Sequence, residues 1–210
     1  EGRQFSSKSG EKVLEAQNMM TANDYNGALA KLNEVLAIEG LNPYERSIVY
    51  QMRGSVNYEL NQFTQAIDSF EKSIAAGGLN QKETDQLRLN IAQLLIGNGQ
   101  YARGAQMLEN FANRGGKLEP KHIEYLTQAW VQAENYTKAL PWAQRWFNNA
   151  SPKERKHYDL LNFLYSNLQM PAKQADIVKE MTERPRGMVL VTGQTGSGKK
   201  PRLSGWSGSK

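Results

Sequence analysis

A short motif recurs five times along the chain, and its spacing constrains the fold more than any other feature. Each copy has an aromatic residue or a proline next to turn-forming residues, with a small residue three or four positions later. The small residues are Ala28, Ala66, Gly104, Ala139 and Ala175, at spacings of 38, 38, 35 and 36 residues. A period of about 35 residues is typical of a repeat built from two helices. The sequence therefore predicts an all-α array of about five helix–turn–helix units.

A second set of positions supports the helical hairpins. Twelve residues before each small residue stand Ala16, Gly54, Ala92, Thr127 and Phe163. Small residues in the middle of two antiparallel helices let the axes approach to about 8 Å. We therefore expect close hairpins in the first copies and a degenerate last copy that closes the array as a cap.

Helix boundaries are marked by prolines and polar residues. Pro43 and Pro120 fit a first helical position, where a missing N–H costs nothing. Ser151 is a predicted N-cap, with Pro152 at the first helical position and Glu154 completing a capping box. Pro141 follows Ala139 closely and indicates either a kink or a helix that begins later than the repeat suggests.

These features resemble the tetratricopeptide repeat family, and the resemblance covers residues 11–184. The second unit matches best, with Tyr50 to Gly54 followed by Phe63, Ala66 and Phe70. The resemblance implies an α-solenoid over 11–184, preceded by a flexible N-terminus over 1–10. Residues 185–210 are expected to form a basic, Gly-rich tail and no folded domain.

In this family the first helix of each unit lines a concave groove that binds a peptide or helix of a partner. The implied lining residues are polar, mostly uncharged and rich in glutamine. They are Gln51, Ser55, Tyr58 and Glu59 in the second unit, Leu89, Gln93 and Ile96 in the third, and Glu124, Gln128, Val131 and Gln132 in the fourth. Glutamine and tyrosine can hydrogen-bond a peptide backbone while apolar neighbours bury its side chains. The alternative is that these residues are solvated helix faces.

Two strings resemble a narrower group, the periplasmic tetratricopeptide proteins associated with TonB-type energy-transducing systems. They are Lys12 to Gln17 and Leu41 to Arg46. The expected function is therefore a non-catalytic interaction scaffold for another protein, in the periplasm or alternatively in the cytoplasm. Self-association is a further expectation, because the open ends of a repeat array can stack.

Charge and composition exclude other functions. The net charge is +5, but five Lys and Arg follow residue 184 and no acidic residue follows Glu183, so residues 1–184 are neutral. A region without net positive charge lacks the basic surface that binds nucleic acid. The chain has no Cys, and its two histidines, His122 and His157, stand apart from any metal-ligand spacing. We expect no metal, no cofactor and no catalytic residue, with surface or helix-cap roles for both histidines. No apolar run is long enough to insert into a membrane.

Aromatic residues cluster late in the chain. Trp142 and Trp146 lie four residues apart, on one face of a predicted helix. The favoured interpretation is core packing between repeats, and the alternative is an exposed patch for a partner.

The C-terminal tail contains a different motif. A short apolar run, Met188 to Thr192, precedes Gly193, Gly196, Gly198 and Lys199, which resembles the phosphate-binding loop of pilus and type II secretion ATPases. Lys200 replaces the magnesium-binding Ser or Thr, and Pro201 interrupts the helix that should follow. A fragment of such an ATPase, with the repeats as its regulatory module, is therefore the alternative function, and phosphate binding at these residues is not expected to be functional.

Overall fold

The computed structural model describes residues 2–184, and its regular structure is helical. The described part contains ten helices: α1 Ser7–Thr21, α2 Tyr25–Leu36, α3 Pro43–Glu59, α4 Phe63–Ala75, α5 Gln81–Gly97, α6 Tyr101–Asn113, α7 Pro120–Gln132, α8 Tyr136–Asn149, α9 Arg155–Asn167 and α10 Pro171–Thr182. They follow the predicted alternation of first and second helices. None of these helices has the length and apolarity needed to span a membrane.

The helices form two compact units. Unit 1 comprises α1–α5 up to Asn98, and unit 2 begins at Gly99 and contains α6–α10. Within each unit every helix packs on the next one along the chain. The predicted all-α repeat architecture is therefore confirmed, whereas the tail at 185–210 and its phosphate-loop residues lie outside the described residues.

The turn after each first helix has the same left-handed backbone. The residue after the C-cap has a φ of 60° at Asn23 and Asn61, 84° at Gly99, 58° at Glu134 and 55° at Gln169. In the first turn, Asn23 N–H donates to Met20 O over 3.0 Å, and Asp24 N–H donates to Met19 O over 2.8 Å. These two bonds satisfy the last carbonyls of the helix. Asn23, Asn61 and Gly99 are thus turn residues that stand beside three of the five repeat motifs.

The predicted small positions are buried in the first four copies. Gly54 packs closely, because an added Cβ would lie 2.5 Å from the Phe70 ring. Ala16, Ala92 and Thr127 are fully buried, and so are Ala28, Ala66 and Ala139. Close packing at these positions is what the sequence predicted.

The last copy departs from the predicted register. Phe163, predicted at a small position, is 41% exposed, and Ala175 is exposed as well. Helix α9 begins 35 residues after α7, and α10 begins 35 residues after α8. This offset places Asn162 and Gln174 at the small positions, where the Gln174 amide donates to Asn162 Oδ1 over 3.1 Å. The prediction was wrong by one residue because it used Ala175 to set the register.

The repeat array also begins before residue 11. Helix α1 starts at Ser7 because the Ser6 hydroxyl accepts the Ser9 N–H over 3.3 Å. Residues predicted as a flexible N-terminus make contacts: the Phe5 ring lies 5.5 Å from the Tyr44 ring. Arg3 donates to Glu83 over 2.8 Å and to the Gly78 carbonyl over 3.1 Å.

The proline predictions have mixed outcomes. Pro43 and Pro120 each begin a helix, as predicted. Ser151 is not an N-cap, since α9 begins at Arg155 with Glu154 before it. Pro141 lies inside α8, which begins at Tyr136, so the later helix start is wrong.

Candidate functional site

The predicted groove residues of unit 1 lie on α3 and α5, and they differ in how far they reach solvent. Gln51, Glu59 and Ile96 are half-buried, whereas Ser55, Tyr58, Leu89 and Gln93 are buried. Tyr58 is held by its ring, which meets the Phe63 ring edge-on at 5.8 Å. Burial, with Glu59 adding to it, raises the pKa of the Tyr58 phenol, so the hydroxyl stays protonated near neutral pH.

The predicted groove residues of unit 2 lie on α7. Glu124, Gln128 and Val131 are half-buried, and Gln132 is exposed. The Gln128 amide is 3.5 Å from Glu124 Oε1, which is the outer limit of a hydrogen bond. These side chains are therefore accessible to a partner, and their amides and carboxylate can bond a peptide backbone.

The structure adds a residue that the sequence prediction missed. The 35-residue offset between α7 and α9 places Phe163 at the position of Gln128. Its ring is 41% exposed and meets the Tyr136 ring at a right angle, with the centroids 5.3 Å apart. The signal was present in the sequence: Glu119 and His122 recur as Glu154 and His157 at this same offset.

The tryptophans of unit 2 hold helices together. Trp130 and Trp142 both donate their indole N–H to Glu109 Oε1, over 2.7 and 2.9 Å. Lys138 Nζ lies 4.8 Å from the centre of the Trp130 ring and 3.9 Å from Glu109 Oε2. Trp142 is half-buried, and it shares the partly buried Glu109 carboxylate of α6 with Trp130 of α7, which agrees with the predicted packing role.

Both histidines are helix caps. The Nδ1 atom of His122 accepts the Glu119 N–H over 3.2 Å, and that of His157 accepts the Glu154 N–H over 2.9 Å. Burial lowers the pKa of His122 and of His157, and Lys121 and Lys156 add to this effect. Of the two predicted roles, the helix cap is confirmed, and the surface position is wrong because both side chains are buried. Within residues 2–184, no group of three or more carboxylates or histidines is placed to hold a metal ion.

Charge is divided unevenly between the units. Residues 1–98 carry nine Lys and Arg against twelve Asp and Glu, and residues 99–184 carry twelve against nine. Unit 1 therefore has a formal charge of −3 and unit 2 of +3. The neutral body predicted from the total consists of two units of opposite formal charge.

Solved structures with the same fold are tetratricopeptide proteins. MamA from Desulfovibrio magneticus RS-1 superposes with a TM-score of 0.57 at 17% identity, covering 86% of this chain and 96% of its own. MamA AMB-1 gives a TM-score of 0.61 at 14% identity, covering 87% and 94%. YrrB, described as a TPR protein with an unusual peptide-binding site, gives 0.57 at 16% identity, covering 80% and 82%. The fold is therefore a tetratricopeptide-like α-solenoid.

Sequence comparisons add one further match. The family model described as Type II/IV secretion system protein matches residues 155–208. Helices α9 and α10 form the described part of this match. No curated protein sequence matches the chain.

Proposed function

We propose that the chain is a non-catalytic scaffold that binds a segment of another protein through the first helices of its repeats. The observation that carries the proposal is Phe163, an exposed aromatic ring at the position equivalent to Gln128. Contiguous apolar surface rimmed by polar residues can mark an interaction site, and the Phe163 ring is continuous with the half-buried Tyr136 ring. YrrB, which shares the fold, is described as having a peptide-binding site, and this supports the same use of the fold here.

The proposed contact in unit 2 combines two kinds of recognition. Gln128 and Gln132 on α7 offer amide groups that can pair with the backbone of an extended peptide. Phe163 on α9 offers an apolar face for a bulky side chain, and the edge of Tyr136 limits how its ring can turn. Aromatic anchors of this kind carry much of the energy of a protein interface. We therefore expect a peptide with an apolar anchor residue.

A selection experiment tests this proposal. A phage library of random dodecapeptides is selected on the full chain, and the affinity of the selected peptides is then measured. We expect Phe163→Ala to weaken binding about tenfold. Val178→Ala is the matched control, because Val178 is similarly exposed, at 37%, but lies on the second helix α10. Equal affinity of both variants for the selected peptides would contradict the assignment.

The unit 1 residues are included in the proposal as a second contact. Gln51, Glu59 and Ile96 are its half-buried members. Gln51→Glu and Ile96→Ser change these side chains where they reach solvent, and the far-UV circular dichroism should stay unchanged. If neither variant changes the affinity for the selected peptides, the site is restricted to unit 2.

We further propose a periplasmic setting in a TonB-type assembly, supported by the resemblance of two strings. The second string, Leu41 to Arg46, forms the start of α3, where Asn42, Pro43 and Glu45 each have a structural role. The first string therefore carries more of the resemblance. Expression of the protein from its own gene in its natural host, followed by osmotic-shock fractionation, tests the setting: release with periplasmic markers supports it, and retention in the cytoplasm contradicts it.

An ATPase fragment has less support. The match at residues 155–208 favours it, but the described part of that match is a helical hairpin of the repeat array. Thermal unfolding with and without millimolar magnesium–ATP separates the two functions. The scaffold proposal predicts no shift, whereas ligand at a hundred times its Kd would add about 2.7 kcal/mol to a working site.

A further inference from the structure

The caps of α7 and α9 require neutral histidine side chains, and histidine gains a proton in mild acid. In each case the imidazole accepts a backbone N–H at Nδ1, so the neutral ring carries its proton on Nε2. A ring protonated on both nitrogens is a donor at Nδ1 and faces another donor. Protonation therefore converts each hydrogen bond into a repulsive contact between two N–H groups, whatever else surrounds the ring.

The surroundings of His157 divide into groups that oppose and groups that favour the cation. The side chain is buried, and Lys156 on the same helix opposes the cation. Glu154 and, from α7, Glu124 favour it. From α8 the Trp146 ring lies 4.4 Å away, and a cation near an aromatic face is also favourable. None of these groups replaces the acceptor that the Glu154 N–H loses.

His122 has a simpler setting. It is buried at the start of α7, with Lys121 opposing the cation and Glu119 favouring it. The two histidines occupy the same position of successive first helices, 35 residues apart. Protonation of both therefore acts on two helix starts of one unit.

We propose that unit 2 contains an acid-sensitive joint, in which protonation of His157 and His122 releases the first turns of α9 and α7. The joint would loosen the contact of α9 with α8, since the His157 ring packs against Trp146. We expect this transition at a pH below 6.5, the ordinary pKa of histidine, with no change in the caps of unit 1. This response to acid does not depend on what unit 2 binds.

Tryptophan fluorescence tests the joint in the full chain. Trp130, Trp142 and Trp146 all lie in unit 2, and Trp206→Phe removes the fourth indole. Urea unfolding is followed at pH 7.5 and 5.5 in this background and in His122→Gln/His157→Gln. Glutamine at the third helical position can accept the same N–H but does not titrate.

We expect the unfolding equilibrium constant of unit 2 to rise about tenfold from pH 7.5 to 5.5 with histidine, and less than twofold with glutamine. An equal pH effect in both backgrounds would overturn the proposal. If the glutamine variant fails to fold, NMR of the unaltered chain still tests the proposal. Titration of both imidazoles with no change in the Glu119 and Glu154 amide signals would overturn it, and loss of those signals in step with imidazole protonation would support it.

Discussion

Units 1 and 2 start their first helices in the same way but with different chemistry. In α3 and α5 of unit 1 the third helical residue is a carboxylate: Glu45 Oε1 accepts the Asn42 N–H over 3.0 Å, and Glu83 Oε1 accepts the Asn80 N–H over 2.9 Å. In unit 2 the same position holds His122 or His157. One structural role is therefore performed by two acceptors that protonate in different pH ranges.

The carboxylate caps are also more highly connected. Burial alone would raise the pKa of Glu45, but hydrogen bonds from Ser9, Asn42 and Ser6 outweigh it and hold the pKa below its usual range. For Glu83, the bonds from Asn80 and Arg3 likewise outweigh burial and lower the pKa. Residues at the N-terminus thus hydrogen-bond both carboxylate caps, Glu45 and Glu83. Each imidazole of unit 2 instead accepts its cap bond through a single nitrogen.

Removing the most connected cap should have the largest effect. Glu45→Ala leaves the Asn42 and Ser6 N–H groups without their acceptor, and it removes the carboxylate that the Ser9 hydroxyl contacts in addition to Ser6 O. We expect a loss of about 3 kcal/mol in the free energy of unfolding, measured by urea denaturation followed by circular dichroism. A loss under 1 kcal/mol would show that the network contributes little.

Exchanging the cap chemistry should move the acid sensitivity. His122→Glu/His157→Glu gives unit 2 the carboxylate of unit 1, so the cap stays intact until the carboxylate itself protonates. The lowered pKa of each wild-type histidine means that its stabilisation is complete above about pH 6.5 and falls as pH falls below that value. At pH 5.5 the variant should therefore gain about 1 kcal/mol over the wild type, as judged by tryptophan fluorescence. No gain would contradict the cap comparison.

The turns of the two units offer a smaller contrast. Asn23 and Asn61 adopt the left-handed conformation in unit 1, whereas unit 2 places Glu134 and Gln169 there. Asparagine tolerates this conformation better than glutamate or glutamine. Glu134→Gly and Gln169→Gly should each stabilise the chain by about 0.5–1 kcal/mol, and Asn23→Gly should have little effect. Thermal unfolding of the three variants decides, and destabilisation by Glu134→Gly would contradict the prediction.

The smallest effect is expected at the surface. The ion pair between Arg3 and Glu83 has both side chains at least one-third exposed. Arg3→Ala should therefore cost about 0.5 kcal/mol at low salt and less at 1 M NaCl. A cost that persists at high salt would instead point to the stacking of Arg3 on Tyr44, whose ring centre is 4.8 Å from the guanidinium.

The features that the sequence predicted well are those set by backbone geometry. The small residue Gly54, the aromatic Phe63 and the turn residue Asn61 each have one role in a close hairpin, so their spacing was enough to place them. The turn at Glu134 has the same backbone geometry. Glutamate is not a residue that favours this conformation, so the sequence gives no sign of the turn there.

The candidate site was harder to predict. The last register failed because Ala175 looks like the small residue that Gln174 replaces, and Phe163 was consequently assigned to packing. The exposure of Gln128, and the burial of Tyr58 and Gln93, depend on which side chains surround each helix face. Repeat spacing carries no information about those neighbours.

The most direct test of the difference between the units is the exchange of the four cap amides, Asn42, Asn80, Glu119 and Glu154. Their protection factors, corrected for intrinsic exchange, would be measured by NMR at pH 7.5 and 5.5. We predict a drop of about tenfold at Glu119 and Glu154 and no change at Asn42 and Asn80. An equal change at all four amides, or none at Glu119 and Glu154, would contradict this account.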